Sequence, residues 1–181
     1  MEIDIPLWLP RPEGMSAVAR IYYTGEALFL RISASEKNIL ARFDGLLDMV
    51  CRDSCLEFFF CPHAEDDRYF NFEFNPLGAM YLGFGRDRCS SVRQIREDYR
   101  TMFSVDPFRF DGGWGINFSI PASFINLYIP SFSLRSGLIM RGNFYKCGDE
   151  TKAPHYLAWN PVVSKKPDFH RPESFGTMIL V

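Results

Sequence analysis

The stretch Tyr69-Phe-Asn-Phe-Glu-Phe-Asn75 places a phenylalanine at every second position, the clearest period of two in the 181-residue chain. Successive side chains of a β-strand point to opposite faces of a sheet, so a period of two predicts a strand. Phe70, Phe72 and Phe74 are therefore expected to face a core. Glu73 and its polar neighbours are expected on the opposite face, which is a candidate binding surface.

Short strands are predicted on both sides of this stretch. Residues 18–23 and 27–35 form a predicted hairpin around Thr24-Gly25-Glu26. One short helix is predicted at residues 122–127, because Pro121 is suited to the start of a helix. The remaining strands are predicted at residues 56–60, 80–84, 101–110 (broken at Pro107), 114–120, 138–145, 155–159 and 177–181.

This pattern predicts the fold class. About ten short strands with frequent turns and no alternation of strands with helices are typical of an all-β protein, an antiparallel β-sandwich. The length fits a single domain over residues 1–181. Residues 1–15 are predicted as an extended N-terminal lead-in, because Pro6, Pro10 and Pro12 disfavour a helix there.

Charge and cysteine content narrow the function classes. The net charge of −2 gives no basic field for nucleic acid, and no apolar run is long enough to cross a membrane. The start of the chain carries no secretory signal, and five cysteines are an odd count for a disulfide framework. Reduced thiols in the cytoplasm are expected, or a secreted or periplasmic protein if a leader once preceded Met1. The oligomeric state stays open.

Enzyme motifs are scarce. The chain has no GxSxG, P-loop, HExxH or GxGxxG sequence, and we predict no catalytic residue, no metal ligand and no cofactor. Glu57 and Glu73 are the carboxylates that a glycosidase pair would need, since they lie on strands that could be neighbours. The favoured interpretations are a solvent-facing position or a hydrogen bond to a ligand.

Residues 141–176 interleave planar side chains with hydrogen-bonding ones. Sugars require this mixture, because an aromatic ring covers the C–H face of a pyranose while polar groups bind its hydroxyls. The alternative is that these side chains pack a loop against the strands. The candidate ligand-binding residues are Trp159, Glu57, Asn143, Arg141, Tyr145, His170 and Arg171.

Several of these stretches resemble the family 9 carbohydrate-binding modules, and especially their stand-alone bacterial branch. The resemblance extends over about residues 18–181. The matching stretches are Arg52-Asp-Ser-Cys-Leu-Glu-Phe-Phe-Phe, the segment from Tyr69 to Gly78, the Trp-x₅-Ile-Pro step ending at Pro121, Asn143-Phe-Tyr-Lys-Cys-Gly-Asp, Trp159-Asn-Pro and Phe169-His-Arg-Pro-Glu-x-Phe-Gly.

The resemblance implies a β-sandwich that holds a mono- or oligosaccharide between two tryptophans. Trp159 matches the second tryptophan, whereas the first falls at Cys51, so Tyr69, Tyr81 or Tyr145 would have to supply that face. Glu57 matches the carboxylate that receives sugar hydroxyls. The resemblance also allows a structural calcium, for which Asp66-Asp67 is a weak candidate.

Three functions follow as hypotheses. The favoured one is non-catalytic carbohydrate binding in support of glycan breakdown, with a sugar ring stacked on Trp159 and its hydroxyls bonded by Glu57. The second is a structural or protein-interaction sandwich that has lost sugar binding, which the cysteine at position 51 motivates. The third is a glycan-acting hydrolase or accessory subunit using Glu57, Glu73, Asp168 or His170.

Overall fold

The computed structural model describes residues 1–181 and confirms the all-β prediction, with two antiparallel sheets and two short α-helices. Neither helix has the length and apolar character needed to cross a lipid bilayer. In chain order the elements are β1 (Ile5–Pro6), β2 (Ser16–Tyr23), β3 (Ala27–Ser35), β4 (Cys55–Cys61), β5 (Tyr69–Phe74), β6 (Met80–Gly85), β7 (Val92–Arg93), α1 (Tyr99–Met102), β8 (Asp106–Phe110), β9 (Gly113–Pro121), α2 (Ala122–Asn126), β10 (Ile139–Cys147), β11 (Tyr156–Ala158) and β12 (Gly176–Ile179).

The two sheets differ in size. The larger has eight strands. Seven of them follow the order β1-β11-β10-β4-β5-β6-β7. The eighth, β12, pairs with residues 139–142 of β10, along the same edge at which β11 pairs with residues 145–147. The smaller has four strands in the order β2-β3-β9-β8. Strand β10 therefore organises the larger sheet, because it is hydrogen-bonded to β4, β11 and β12.

The main core lies between the sheets, where 33 buried residues form one hydrophobic cluster. Phe70, Phe72 and Phe74 of β5 belong to it, as the period of two predicted. The Phe72 and Phe74 rings meet Phe118 of β9 in the smaller sheet, with centroids 6.0 and 4.7 Å apart. Aromatic packing across the sandwich thus fixes which face of β5 points inward.

A buried ion pair also links the two halves. The Lys146 ammonium on β10 lies 3.2 Å from the carboxylate of Glu36, which directly follows β3. Glu36 accepts further hydrogen bonds from Trp114 Nε1 at 2.9 Å and from Ser54 Oγ at 2.7 Å. These donors compensate the buried carboxylate, which would otherwise be costly to remove from water.

Two local predictions were wrong. The region 101–110 is not one strand, because Thr101 and Met102 end helix α1 and only Asp106–Phe110 is extended. Pro107 lies inside strand β8 rather than breaking it. Strand β8 is at the edge of its sheet, where a proline removes no essential ladder hydrogen bond. The two-residue strand β7 was not predicted either.

The outer face of the larger sheet is covered as well. Thirteen buried residues form a second cluster there, including Cys55, Phe59 and Tyr145. The cover comes from segments remote in sequence, namely Leu7 of the lead-in, Val50, and the loop that carries Val162, Phe169 and Phe175. The polar face predicted for β5 is therefore covered by loops and is not an open surface.

Candidate functional site

A cavity of about 230 Å³ opens on the outer face of the larger sheet, where the covering segments leave a gap. Its floor is formed by side chains of four neighbouring strands, Cys147 of β10, Glu57 and Phe59 of β4, Glu73 of β5 and Tyr81 of β6. These side chains lie together because strands β10, β4, β5 and β6 are adjacent and successive side chains alternate between faces. Cys51, at the position where the resemblance places a tryptophan, also lines this cavity.

Aromatic side chains form one wall of the cavity. The Trp8 ring meets Tyr156 edge-on at a centroid distance of 5.4 Å, and it lies 5.6 Å from the ring of Phe169. Tyr156 meets Phe169 edge-on at 6.0 Å. The three rings therefore support one another and present flat apolar surface next to the polar floor.

The backbone at Trp8 is unusual. Its φ of 56° lies in the left-handed region, which side chains as large as tryptophan rarely adopt. The Leu9 N–H donates to the Leu7 carbonyl at 2.5 Å, which closes a three-residue turn around Trp8. The indole N–H donates to the Ser164 carbonyl at 2.8 Å. Such strained positions persist where surrounding contacts hold them and are common at ligand sites.

Two carboxyl groups lie side by side on the floor. Glu57 and Glu73 are directly opposite each other in the β4–β5 ladder, and both are buried. Burial, together with the charge of Glu73, raises the pKa of Glu57 well above its usual range. Burial also raises the pKa of Glu73 to about 7, although the Asn71 side-chain amide donates to it at 2.8 Å. The protonated forms can donate as well as accept hydrogen bonds.

Charged and hydrogen-bonding groups border the opening. Asp168 forms ion pairs with Arg88 at 3.2 Å and with Arg171 at 3.0 Å. His170 Nδ1 lies 2.7 Å from the Tyr69 hydroxyl. Burial lowers the pKa of His170 to about 4, so its ring is neutral near pH 7. The opening therefore combines an acidic group, a guanidinium and a neutral imidazole.

Among the predicted ligand-binding residues, Glu57 and His170 line the cavity. Tyr145 lies beneath it, stacked on Phe169 at a centroid distance of 4.0 Å, and its hydroxyl donates to the Phe169 carbonyl. Of the tyrosines considered as a substitute for the first tryptophan, only Tyr81 lines the cavity.

The other predicted residues lie outside the cavity. The Trp159 ring packs edge-on against Phe144 at 6.3 Å, beside the main core, and covers Gly176. The Asn143 amide donates to the Asn160 carbonyl at 2.8 Å. These contacts correspond to loop packing, which was the alternative interpretation of the segment 141–176.

The two predicted arginines hold chain segments in place. Arg141 donates to the carbonyl oxygens of Ala64, Asp66 and Pro172 at 2.8 to 3.1 Å. Arg171 forms its ion pair with Asp168 and is not among the cavity-lining residues. Both side chains thus fix the loops that border the site.

Sequence reasoning missed several lining residues, including Trp8, Tyr156 and Phe169. Tyr156 and Phe169 belong to the aromatic segment 141–176, so their type was recognised but their position was not. Trp8 lies in the lead-in, and the only signal was a large aromatic residue between two prolines, Pro6 and Pro10. Nothing in the local pattern connects that segment with β11, to which β1 pairs.

The weak calcium candidate does not fit the ion. Asp66 pairs with Arg68 at 2.7 Å, and Asp67 pairs with Arg86 at 3.3 Å. Calcium requires several oxygen ligands whose negative charge is available to it. Guanidinium groups already compensate both carboxylates, so this loop does not offer such a set.

Comparison with known proteins identifies the family. The model of carbohydrate-binding family 9 matches residues 2–180. A candidate carbohydrate-binding protein from Bacteroides uniformis superposes with a TM-score of 0.83 and 30% identity over 99% of this chain and 85% of that chain. A search of curated proteins found no match.

Two further structures share the fold at low identity. They are a family 9 carbohydrate-binding module from Caldicellulosiruptor kristjanssonii in complex with glucose and one from the same organism in complex with cellotriose. The TM-score is 0.63 for both, with 11% and 12% identity over 98% of this chain and 83% and 80% of those chains. The match of the family model to nearly the whole chain shows that this protein belongs to carbohydrate-binding family 9.

Proposed function

We propose that the protein binds a mono- or oligosaccharide without cleaving it, in support of glycan breakdown, and that the sugar occupies the cavity on the outer face of the larger sheet. One observation carries the proposal. A single cavity combines aromatic rings (Trp8, Tyr81, Tyr156) with buried carboxyl groups (Glu57, Glu73). A pyranose presents both an apolar C–H face and a rim of hydroxyls, and this lining complements both.

Unpartnered polar groups support a polar ligand. The Ser91 hydroxyl oxygen is buried beside the cavity and has no hydrogen-bond partner within the protein. The buried Glu57 carboxyl is bonded only by a thiol, Cys147 Sγ at 3.0 Å. Because buried polar groups are normally hydrogen-bonded, these atoms are available to sugar hydroxyls.

The size of the cavity favours a small ligand. Sites for drug-sized molecules enclose about 300 to 1,000 Å³, whereas this cavity measures about 230 Å³. One sugar ring would enter it, with any further rings outside. The expected affinity is modest, about −4 to −8 kcal/mol, or millimolar to micromolar.

The arrangement of the carboxyl groups favours binding over hydrolysis. A glycosidase places its two carboxyl groups so that they flank the scissile bond. Glu57 and Glu73 instead lie next to each other on one face of one sheet.

The test is a thermal-shift screen of mono- and oligosaccharides, including glucose and cellotriose, followed by calorimetry on each positive sugar. A ligand that binds only the native state must raise the melting temperature. Glu57→Gln should lower the affinity, whereas Glu97→Gln, at an exposed position outside the cavity, should not. Chromogenic glycosides should show no turnover. A turnover that Glu57→Gln abolishes would contradict the proposal and favour a hydrolase.

The prediction that Trp159 stacks a sugar ring is a different proposal for the same activity. Trp159 lies beside the main core, outside the cavity. Variants at Trp8 and Trp159 therefore separate the two sites.

A further inference from the structure

Two thiols and a carboxyl group meet beside the floor of the cavity. Cys55 and Cys147 are directly opposite each other on β4 and β10, and Glu57 is two residues along β4 on the same face. One ligand atom from each residue lies within 4.8 Å of the other two, and all three side chains are buried. We propose that Cys55, Glu57 and Cys147 bind a thiophilic divalent cation, of which zinc is the expected example.

The distances suit tetrahedral zinc. Zinc–sulfur bonds of about 2.3 Å and zinc–oxygen bonds of about 2.0 Å place the ligand atoms of a tetrahedron about 3.5 to 3.8 Å apart. Here Cys147 Sγ and Glu57 Oε1 are 3.0 Å apart, and no pair exceeds 4.8 Å. Small side-chain rotations would therefore bring the three ligands to their coordination distances.

The surroundings leave these ligands without another strong partner. No lysine or arginine side chain bonds to any of the three side chains, and Glu57 is bonded only by the Cys147 thiol. A thiol is a weak donor, so the buried carboxyl group is poorly compensated. A bound cation would compensate both the carboxylate and the thiolates.

The donor set selects the class of metal. Two thiolates favour zinc and other soft or borderline ions over calcium and magnesium, which prefer oxygen ligands. Glu57 and Cys147 line the cavity, so the fourth coordination position faces it and is open to water or to a ligand hydroxyl. The site would thus bring a Lewis acid to the base of the cavity.

Metal binding should depend on pH. A cysteine binds a metal ion as the thiolate, so Cys55 and Cys147 each release a proton when the metal binds. Since the metal must displace these protons, its affinity should increase as the pH rises.

Cobalt(II) titration of the reduced protein tests the proposal directly. Thiolate ligation gives a sulfur-to-cobalt charge-transfer band, which zinc should abolish by competition at one ion per chain. The band should be absent in Cys55→Ala and Cys147→Ala and unchanged in Cys61→Ala, which removes a buried thiol of the same strand outside the cluster. Glu57→Gln should weaken cobalt binding at least tenfold.

Three results would overturn the proposal. They are the lack of a charge-transfer band in the reduced wild-type protein, a band that persists in Cys147→Ala, and a Cys55–Cys147 disulfide that re-forms after reduction and prevents cobalt binding. If an alanine variant does not fold, Glu57→Gln decides, and an unchanged cobalt affinity in this variant contradicts the site. Cys55 does not line the cavity, so sugar affinity of folded Cys55→Ala, compared with that of the wild type without added metal, tests the cavity apart from the metal site.

Discussion

At the level of single residues, the pKa of Glu73 can be measured through its effect on the stability of the protein. Its carboxyl group is buried on the floor, and burial raises its pKa from the usual 4.5 to about 7. The folded protein therefore retains a proton there that the unfolded chain releases. Protonation of Glu73 therefore contributes to the free energy of unfolding. This contribution is complete below about pH 4.5 and is lost as the pH rises through about 7, with a total on the order of 3 kcal/mol.

Replacement of Glu73 by glutamine removes this titration. The free energy of unfolding of the wild type, relative to Glu73→Gln, should fall between about pH 5 and about pH 8. Urea denaturation at several pH values measures this difference, and subtracting the two curves cancels most of the contribution of titrating groups that do not interact with Glu73. For Glu97→Gln, at an exposed position, the free energy of unfolding should depend on pH in the same way as that of the wild type. If the free energy of unfolding of Glu73→Gln depended on pH in the same way as that of the wild type, Glu73 would ionise normally in the folded protein.

At the level of elements, strand β10 carries a close contact that the sequence alone does not reveal. Gly142 pairs with Phe60 of β4 on one side and with Gly176 of β12 on the other. A Cβ at this position would lie 2.6 Å from the Phe59 carbonyl oxygen. That contact is with backbone, so the strands themselves would have to move apart.

Gly142→Ala should therefore destabilise the protein by about 1 to 3 kcal/mol. Gly25→Ala is the matched control, because a Cβ there meets nothing within 4 Å. Chemical denaturation of both variants measures the difference in stability. Equal stability of the two variants would mean that β10 accommodates the methyl group without moving its neighbours.

Periodicity predicted the strands and the inward face of β5, because alternation is a local property of the chain. It did not predict that loops cover the outer face of β5. The cover comes from Leu7, Val50 and Phe169, whose contacts join residues far apart in sequence. Glu57 was identified because it lies on a strand that the local pattern predicts. Trp8 was missed because it lies in a segment that has no periodic pattern.

At the level of the whole molecule, the two faces of the larger sheet differ in what covers them. The inner face packs against the smaller sheet and holds the main core, with Trp159 at its margin. The outer face carries the carboxyl groups, and the N-terminal lead-in completes the cavity with Trp8. Glu57, which the family resemblance matches to the carboxylate that receives sugar hydroxyls, lies on the cavity floor, whereas Trp159 packs beside the main core on the other face. The aromatic wall comes from the lead-in and the segment around Tyr156 and Phe169.

The most direct test of this account is isothermal titration calorimetry with one sugar identified by the screen, on the wild type, Trp8→Ala and Trp159→Ala, each shown to be folded by circular dichroism. A sugar in the outer cavity requires Trp8, so Trp8→Ala should weaken binding at least about tenfold, or about 1.4 kcal/mol. Trp159→Ala should change the affinity by less than about threefold, or about 0.7 kcal/mol. Loss of binding in Trp159→Ala with full affinity in Trp8→Ala would contradict the account and place the sugar on the opposite side of the sheet.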